Sequence, residues 1–180
     1  MKEFALSKVF QLLEPGPVLL VTTAAKDRPN IMTMTWQMPL EFEPPLLACV
    51  IGPWDHTFTA LRSTKECVLA IPAFDLIEKA VDIGNCSGRD IDKFHKFRLT
   101  PLPAEKVSAP LIAQCLYNLE CKLIDRVARY DINILEVVKA WTNPDRKQRR
   151  IFHANGDGTF APQGKNRDLK DRMVKWQSIL

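Results

Sequence analysis

The chain reads as a mainly β protein, an antiparallel barrel or sandwich with short helices attached, organised as one domain over residues 1–180. Three features point there. The apolar runs are short and rich in β-branched residues, and proline and glycine punctuate them at close intervals. Helical periodicity is confined to brief stretches, so the strand–helix alternation of a parallel sheet is missing. There is no internal repeat and no low-complexity linker.

Leu6, Val9, Phe10 and Leu13 recur at helical spacing, and Pro15-Gly16-Pro17 ends that helix. Val18 to Thr23 is a β-type run closing on a polar turn, Lys26-Asp27-Arg28-Pro29-Asn30. Ile31 to Met38 alternates almost strictly, with Ile31, Thr33, Thr35 and Gln37 on one face and Met32, Met34, Trp36 and Met38 on the other. Large apolar residues at period two predict a strand half-buried against the core, lying inside the sheet and not at its edge. Leu46 to Ile51, between Pro44-Pro45 and Gly52-Pro53, predicts a third strand. Asp55 then stands where it would cap a short helix running to Arg62. Cys67 to Ile71 is a fourth strand ended by Pro72, and Asp75-Leu76-Ile77-Glu78 has capping-box spacing, with Gly84 as a helix stop. A further short helix is expected to start at Ser87-Gly88-Arg89-Asp90 and to carry Asp92, Lys93 and Phe94. Two longer β runs follow, Leu116 to Ile124 and Ile132 to Trp141. Asn155-Gly156-Asp157-Gly158 has the residues of a hairpin tip, with Phe152 and Phe160 on its arms.

Hydrophobic residues at 46% and charged residues at 26% are ordinary globular usage and exclude a disordered chain or a coiled coil. No apolar stretch approaches the roughly 20 residues of a membrane span, and the start Met1-Lys2-Glu3-Phe4 lacks a signal peptide's apolar run. Cys49, Cys67, Cys86, Cys115 and Cys121 are odd in number and contain no Cys-x-x-Cys pair, so a reducing cytoplasm is the expected compartment. The net charge of +4 is uneven: residues 139–180 hold 10 Lys/Arg against 4 Asp/Glu. This basic C-terminal extension, roughly residues 142–180, invites a polyanion. No aromatic residues interleave the charges of its two clusters, Arg146 to Arg150 and Lys165 to Lys175, so it reads better as a solvated loop and tail, and nucleic acid is not an expected partner.

Several chemistries are excluded outright. There is no Gly-x-Gly-x-x-Gly after a strand, no Gly-x-x-x-x-Gly-Lys and no Gly-x-Ser-x-Gly. His56, His95 and His153 do not pair at metal-ligand spacing, so no metal is expected. Side-chain catalysis has no evident home, and any redox chemistry would come from a bound cofactor. Two segments carry donors. Asp55-His56-Thr57, after a strand and a Gly-Pro turn, is either an anion site at a helix start or an ordinary capped helix. Cys86 to Phe94 combines a small turn with Arg89 and Lys93; a helix start beside Cys86 would favour its thiolate. Without a partner cysteine, no catalytic role is assigned to it.

Pro15 to Thr23, Pro29 to Pro39, Phe42 to Leu46, His56-Thr57, Asn85 to Phe94 and Leu119-Glu120-Cys121 follow one another in a specific order. In that order they resemble the flavin reductase-like family of FMN-binding split barrels, and most closely its flavoredoxins. The similarity runs from Phe10 to Val138, with a looser fit from Phe152 to Phe160. It implies an antiparallel six-stranded Greek-key split barrel with flanking short helices, and a bound FMN. By resemblance, Asn30 and the stretch Thr33, Met34, Thr35, Trp36 and Gln37 border the isoalloxazine ring, while Ile51 and Gly52 lie along the ring or ribityl chain. His56, Thr57 and Lys93 would take the phosphate, with the turn Cys86, Ser87 and Gly88 supplying donors. Two positions depart from the family pattern: Tyr130 stands where a histidine is frequent and Leu135 where a glycine is. The resemblance also implies a homodimer and an oxidoreductase passing electrons through FMN to a protein or small acceptor. A redox partner protein or NAD(P)H would be the donor. An NAD(P)H-dependent flavin reductase and, more weakly, a non-catalytic polyanion-binding barrel are the alternatives.

Overall fold

A computed structural model describes residues 1–25 and 28–175. Lys26 and Asp27, the start of the polar turn expected after the first β run, lie outside the described residues. The elements in chain order are β1 (Lys2–Glu3), α1 (Phe10–Leu13), β2 (Leu19–Ala25), β3 (Arg28–Met34), β4 (Gln37–Glu41) and β5 (Leu46–Val50). Then come α2 (His56–Thr64), β6 (Glu66–Ile71), α3 (Ile77–Gly84), α4 (Lys93–Lys96), β7 (Pro101–Leu102) and β8 (Leu111–Ile112). The long strands β9 (Tyr117–Val127) and β10 (Ile132–Thr142) and a terminal hairpin of β11 (Phe152–Ala154) and β12 (Phe160–Pro162) complete the order.

One antiparallel sheet dominates, in the order β3-β2-β6-β9-β10-β5-β4, with β1 added against β10. This is a mainly β, antiparallel architecture, as expected. The strand count differs: seven strands form the path and β1 makes eight, where six were expected. No ladder joins the end strands β3 and β4 among the described residues, so the sheet is not closed.

The interior explains why β2 and β6 are nearly continuous apolar runs. Leu19 and Val21 of β2 and Cys67, Leu69 and Ile71 of β6 face one core together with Met34, Leu47, Leu119, Leu135 and Val137. The alternate residues Leu20 and Ala70 face a second core, roofed by Leu76, Ala80, Ile83, Phe94 and Phe97 of the helical segments. Strands covered on both faces carry no polar side. The hairpin tip at Asn155 to Gly158 is present as expected, with Gly156 and Gly158 at φ of +87° and +88°, where a side chain would be strained.

The Ile31–Met38 segment is where sequence and structure part. It is not one internal strand: β3 ends at Met34, β4 begins at Gln37, and each is an edge of the sheet. Thr35-Trp36 carries the chain from one edge to the other, so the alternation restarts there. Met34 enters the core, whereas Trp36 and Met38 are 69% and 56% exposed. The Ile31 face, expected to be the more polar one, is covered by α3, with Ile31 buried in the second core and Thr33 Oγ1 donating to Ala80 O at 2.5 Å. Two helix starts also differ. No side chain caps α3, which follows a 3-10 turn at Phe74–Leu76. No helix begins at Ser87; α4 starts later, with Asp92 accepting from His95 N.

Candidate functional site

The site is built around the turn that joins β5 to α2. Ile51 N donates to Asp131 O at 3.3 Å, and Asn133 Nδ2 donates to Ile51 O at 3.1 Å and Asp131 O at 3.0 Å. These bonds fix the end of β5 against the β9–β10 turn. Gly52 follows, and the Trp54 indole lies over it: a Cβ built on Gly52 would sit 2.5 Å from Trp54 Cζ2. Asp55 does not cap α2. Its Oδ2 turns back to accept from Gly52 N at 3.1 Å, and no side chain caps the helix. The consequence is electrostatic. The positive end of a nine-residue helix is left without a capping side chain, a favourable place for an anion. Burial pushes the Asp55 carboxyl up from its ordinary range, opposed by the Gly52 N–H.

On one side of this helix start lies a cleft of about 290 Å³ lined by Thr23, Arg28, Asn30, His56, Gly88 and Arg89, among others. Asn30 Nδ2 donates to Thr57 Oγ1 at 3.1 Å, which ties β3 to the first turn of α2. Gly88 makes this closeness possible. A Cβ there would lie 2.6 Å from Asn30 Cγ and 3.1 Å from His56 Cδ2. Thr23 and Asn30 are cross-strand partners in β2 and β3, and their Oγ1 and Oδ1 atoms are buried without a hydrogen-bond partner. An orphaned hydroxyl and an orphaned amide oxygen beside an uncapped helix start and two arginines are the features of a site shaped for a polar, anionic ligand.

On the other side a cleft of about 200 Å³ is lined by Met32, Thr33, Met34, Thr35, Trp36, Val50, Trp54 and Asp55. Its walls are a strand edge, two thioethers and two exposed indoles. Among the described residues β3 pairs only with β2, so half of its backbone donors and acceptors point away from the sheet. The two clefts adjoin along β3. From Asn30 to Met34 the strand covers roughly 13 Å at about 3.3 Å per residue.

Of the residues expected at a flavin, Asn30, His56 and Gly88 line the first cleft, with Thr57 buried behind Asn30. Thr33, Met34, Thr35 and Trp36 line the second. Gln37, Ile51, Gly52, Cys86, Ser87 and Lys93 line neither. Gln37 on β4 pairs with Cys49 on β5, and Ile51 is part of the core. Lys93 is 5% exposed, and its Nζ donates to Ile83 O at 2.9 Å, bracing the end of α3; burial lowers its pKa. Cys86 follows the carboxyl end of α3 and not a helix start, with Sγ donating to Asp82 O at 3.3 Å. Leu135 is fully buried in the core, and Tyr130 is 59% exposed under the Arg129 guanidinium.

Sequence reasoning passed over Thr23, Arg28, Trp54 and the lining role of Asp55; Arg89 was noted only as a cation of the Cys86–Phe94 segment. Thr59 and Ala60, also in the first cleft, were legible in principle, because they stand three and four residues after His56 on one helix face. Three arginines of the basic C-terminal stretch are engaged: Arg146 pairs with Asp75, Arg149 bonds Asn143 O and Tyr117 Oη, and Arg150 lies over Phe74.

Residues 12–160 match the Flavin reductase like domain. An uncharacterised protein of Archaeoglobus fulgidus is 30% identical over 173 residues, which cover 89% of this chain and 97% of that one. Among solved structures, the FMN-binding domain of a flavin reductases-like enzyme from Shewanella baltica OS155 superposes with a TM-score of 0.85 at 24% identity. That match covers 92% of this chain and 95% of the other. Flavoredoxin of Desulfovibrio vulgaris (Miyazaki F) superposes with a TM-score of 0.77 at 26% identity, over 85% and 89% of the two chains. The open antiparallel sheet is therefore the split barrel of these proteins, and the chain belongs to the flavin reductase-like family.

Proposed function

We propose that the protein is an FMN-dependent redox flavoprotein of flavoredoxin type, passing electrons through FMN to a protein or small acceptor. The observation that carries this reading is the pair of buried, unpartnered oxygens Thr23 Oγ1 and Asn30 Oδ1 in a cleft that opens at the uncapped start of α2. The residues present fit the group. His56, the first-turn N–H groups of α2 and the Arg28 and Arg89 guanidiniums suit a phosphate. Thr23 and Asn30 suit the hydroxyls of a ribityl chain, and the β3 edge with Met32, Met34, Trp36 and Trp54 suits a flat ring. Bound FMN supplies the hydride and one-electron chemistry that no side chain here provides. The chain's own part is to neutralise the phosphate, satisfy the ribityl hydroxyls and keep water from one face of the ring. The five free cysteines suit a reducing cytoplasm. Among the described residues, no helix is long and apolar enough to cross a membrane.

The role of Lys93 is open to a direct test. If Lys93 contacts the phosphate, Lys93→Ala weakens FMN by roughly ten- to a hundredfold and leaves riboflavin unaffected, as expected for losing about 1.5–3 kcal/mol of charge-assisted bonding. If it only braces Ile83, both flavins lose equally. Fluorescence-quenching titrations of wild type and variant with the two flavins distinguish these outcomes. Purified protein with absorbance near 450 nm supports the flavin reading; failure to bind either flavin overturns it. Stopped-flow reduction by NADH and NADPH separates a nicotinamide-driven reductase from a carrier reduced by a partner protein.

The reading includes a homodimer. Met38 and Leu40 point outward from the edge strand β4 at 56% and 43% exposure, and Phe42 follows at 40%. An apolar edge of this kind needs covering. Met38→Glu together with Leu40→Glu is expected to convert a dimer into a monomer in light scattering. A wild-type protein that is monomeric and still holds flavin rules the dimer out.

A further inference from the structure

Among the described residues, Asp55 is the only ionisable one lining the cleft assigned to the flavin ring; its companions are Met32, Thr33, Met34, Thr35, Trp36, Val50 and Trp54. The carboxylate is spent neither on capping α2 nor on an ion pair. Among the described residues its one hydrogen-bond partner is Gly52 N at 3.1 Å, a neutral donor that leaves its charge uncompensated. Other charged groups stand close in the chain or across the turn but are engaged or directed elsewhere. His56 lines the neighbouring cleft. Arg126 is paired with Asp131 across the β9–β10 turn and lies over Phe58, as does Arg62. The ring end therefore carries a net negative charge in a partly buried, otherwise neutral setting.

We propose that Asp55 sets the protonation state and redox poise of the bound flavin by opposing negative charge on the reduced ring. This rests on the FMN reading above. Reduction of the ring takes two electrons and two protons when the product is neutral, but two electrons and one proton when the product keeps a negative charge. A carboxylate facing the ring disfavours the second outcome. It holds proton uptake at two per electron pair to higher pH and makes the flavin a stronger reductant, because charge repulsion weakens binding of the reduced form more than of the oxidised form. Asp55 acts here through its field; it does not transfer the electrons.

The test uses FMN-loaded protein titrated with dithionite as electron donor, following the midpoint potential from pH 6 to 9 in wild type, Asp55→Asn and Asp55→Glu. The amide of Asp55→Asn keeps an oxygen for Gly52 N and removes the charge; Asp55→Glu keeps the charge. The wild type is expected to take up two protons per electron pair across the range. Asp55→Asn should fall to one proton within it, and should bind reduced FMN about tenfold more tightly relative to oxidised FMN than the wild type does. Asp55→Glu should behave like the wild type. A merely structural role in the Gly52 turn would weaken both oxidation states together, with no change in proton count. Equal proton uptake and an equal affinity ratio in wild type and Asp55→Asn overturn the proposal while leaving FMN binding intact. Absence of FMN uptake by the wild type overturns the flavin reading and this assignment with it.

Discussion

Gly88→Ala is expected to lower FMN affinity by at least tenfold, a larger loss than removing any single hydrogen bond at the site. The new methyl would need space already held by Asn30, since a Cβ on Gly88 lies 2.6 Å from Asn30 Cγ and 3.1 Å from His56 Cδ2. Asn30 cannot swing aside cheaply. It is 8% exposed, and its amide is committed to Thr57 Oγ1. Either the Cys86–Gly88 turn retreats and opens the cleft, or Asn30 turns away and breaks the β3–α2 tie. Overpacking of this kind costs about 1–3 kcal/mol in stability. The same displacement removes Asn30 and disturbs the first turn of α2, so ligand and fold are penalised together. Flavin titration and thermal melts read the two effects separately. Unchanged FMN affinity in a folded Gly88→Ala protein would place the ligand away from this cleft.

Glu120→Ala is expected to be the most destabilising polar substitution, at about 3 kcal/mol, because orphaned donors cost about 1–3 kcal/mol each. Glu120 is fully buried on β9, yet its carboxylate is saturated with donors. Oε1 accepts from Glu105 N at 3.1 Å and Trp141 Nε1 at 2.7 Å, and Oε2 accepts from Lys106 N at 2.5 Å. One side chain thus anchors the 105–106 segment to the middle of the sheet and to the end of β10. Truncation strands three donors at once. In a chain of this size, each kcal/mol corresponds to about 2–4 °C in Tm. A urea melt of Glu120→Ala within 1 kcal/mol of wild type would show that water replaces the carboxylate. FMN affinity is expected to change little, since Glu120 lines neither cleft.

The strands and their punctuation were readable from local pattern. β2, β5, β6, β9, β10 and the terminal hairpin fall where short β-branched runs and turn residues put them, because those signals concern neighbours within a few residues. The segment Ile31–Met38 misled for a physical reason. Alternation records which residues share a face of an extended chain, but it does not record that the chain leaves one sheet edge at Met34 and joins the other at Gln37. Trp36 and Met38 look like core residues in sequence and are surface residues in the fold.

The same division holds at the site. Sequence alone determined that the chain has a sizeable core, that it is built mainly of short strands, and that nucleotide-binding and triad motifs are absent. In its ordered pieces it also carried the resemblance to a flavin-binding family. His56 and Thr57 at a helix start were legible because a helix N-terminus is a local feature. Tertiary structure alone decided that Asp55 turns to Gly52 and leaves that helix uncapped, and that Thr23 and Asn30, each with a buried oxygen left unpartnered, line one cleft. It also decided that Lys93 is drawn to Ile83 O, and that Arg28 and Arg89 line one cleft with His56. These are choices among competing partners for donors and charges. The choice depends on which groups the sheet and helices bring within about 3 Å, a distance that sequence separation does not encode.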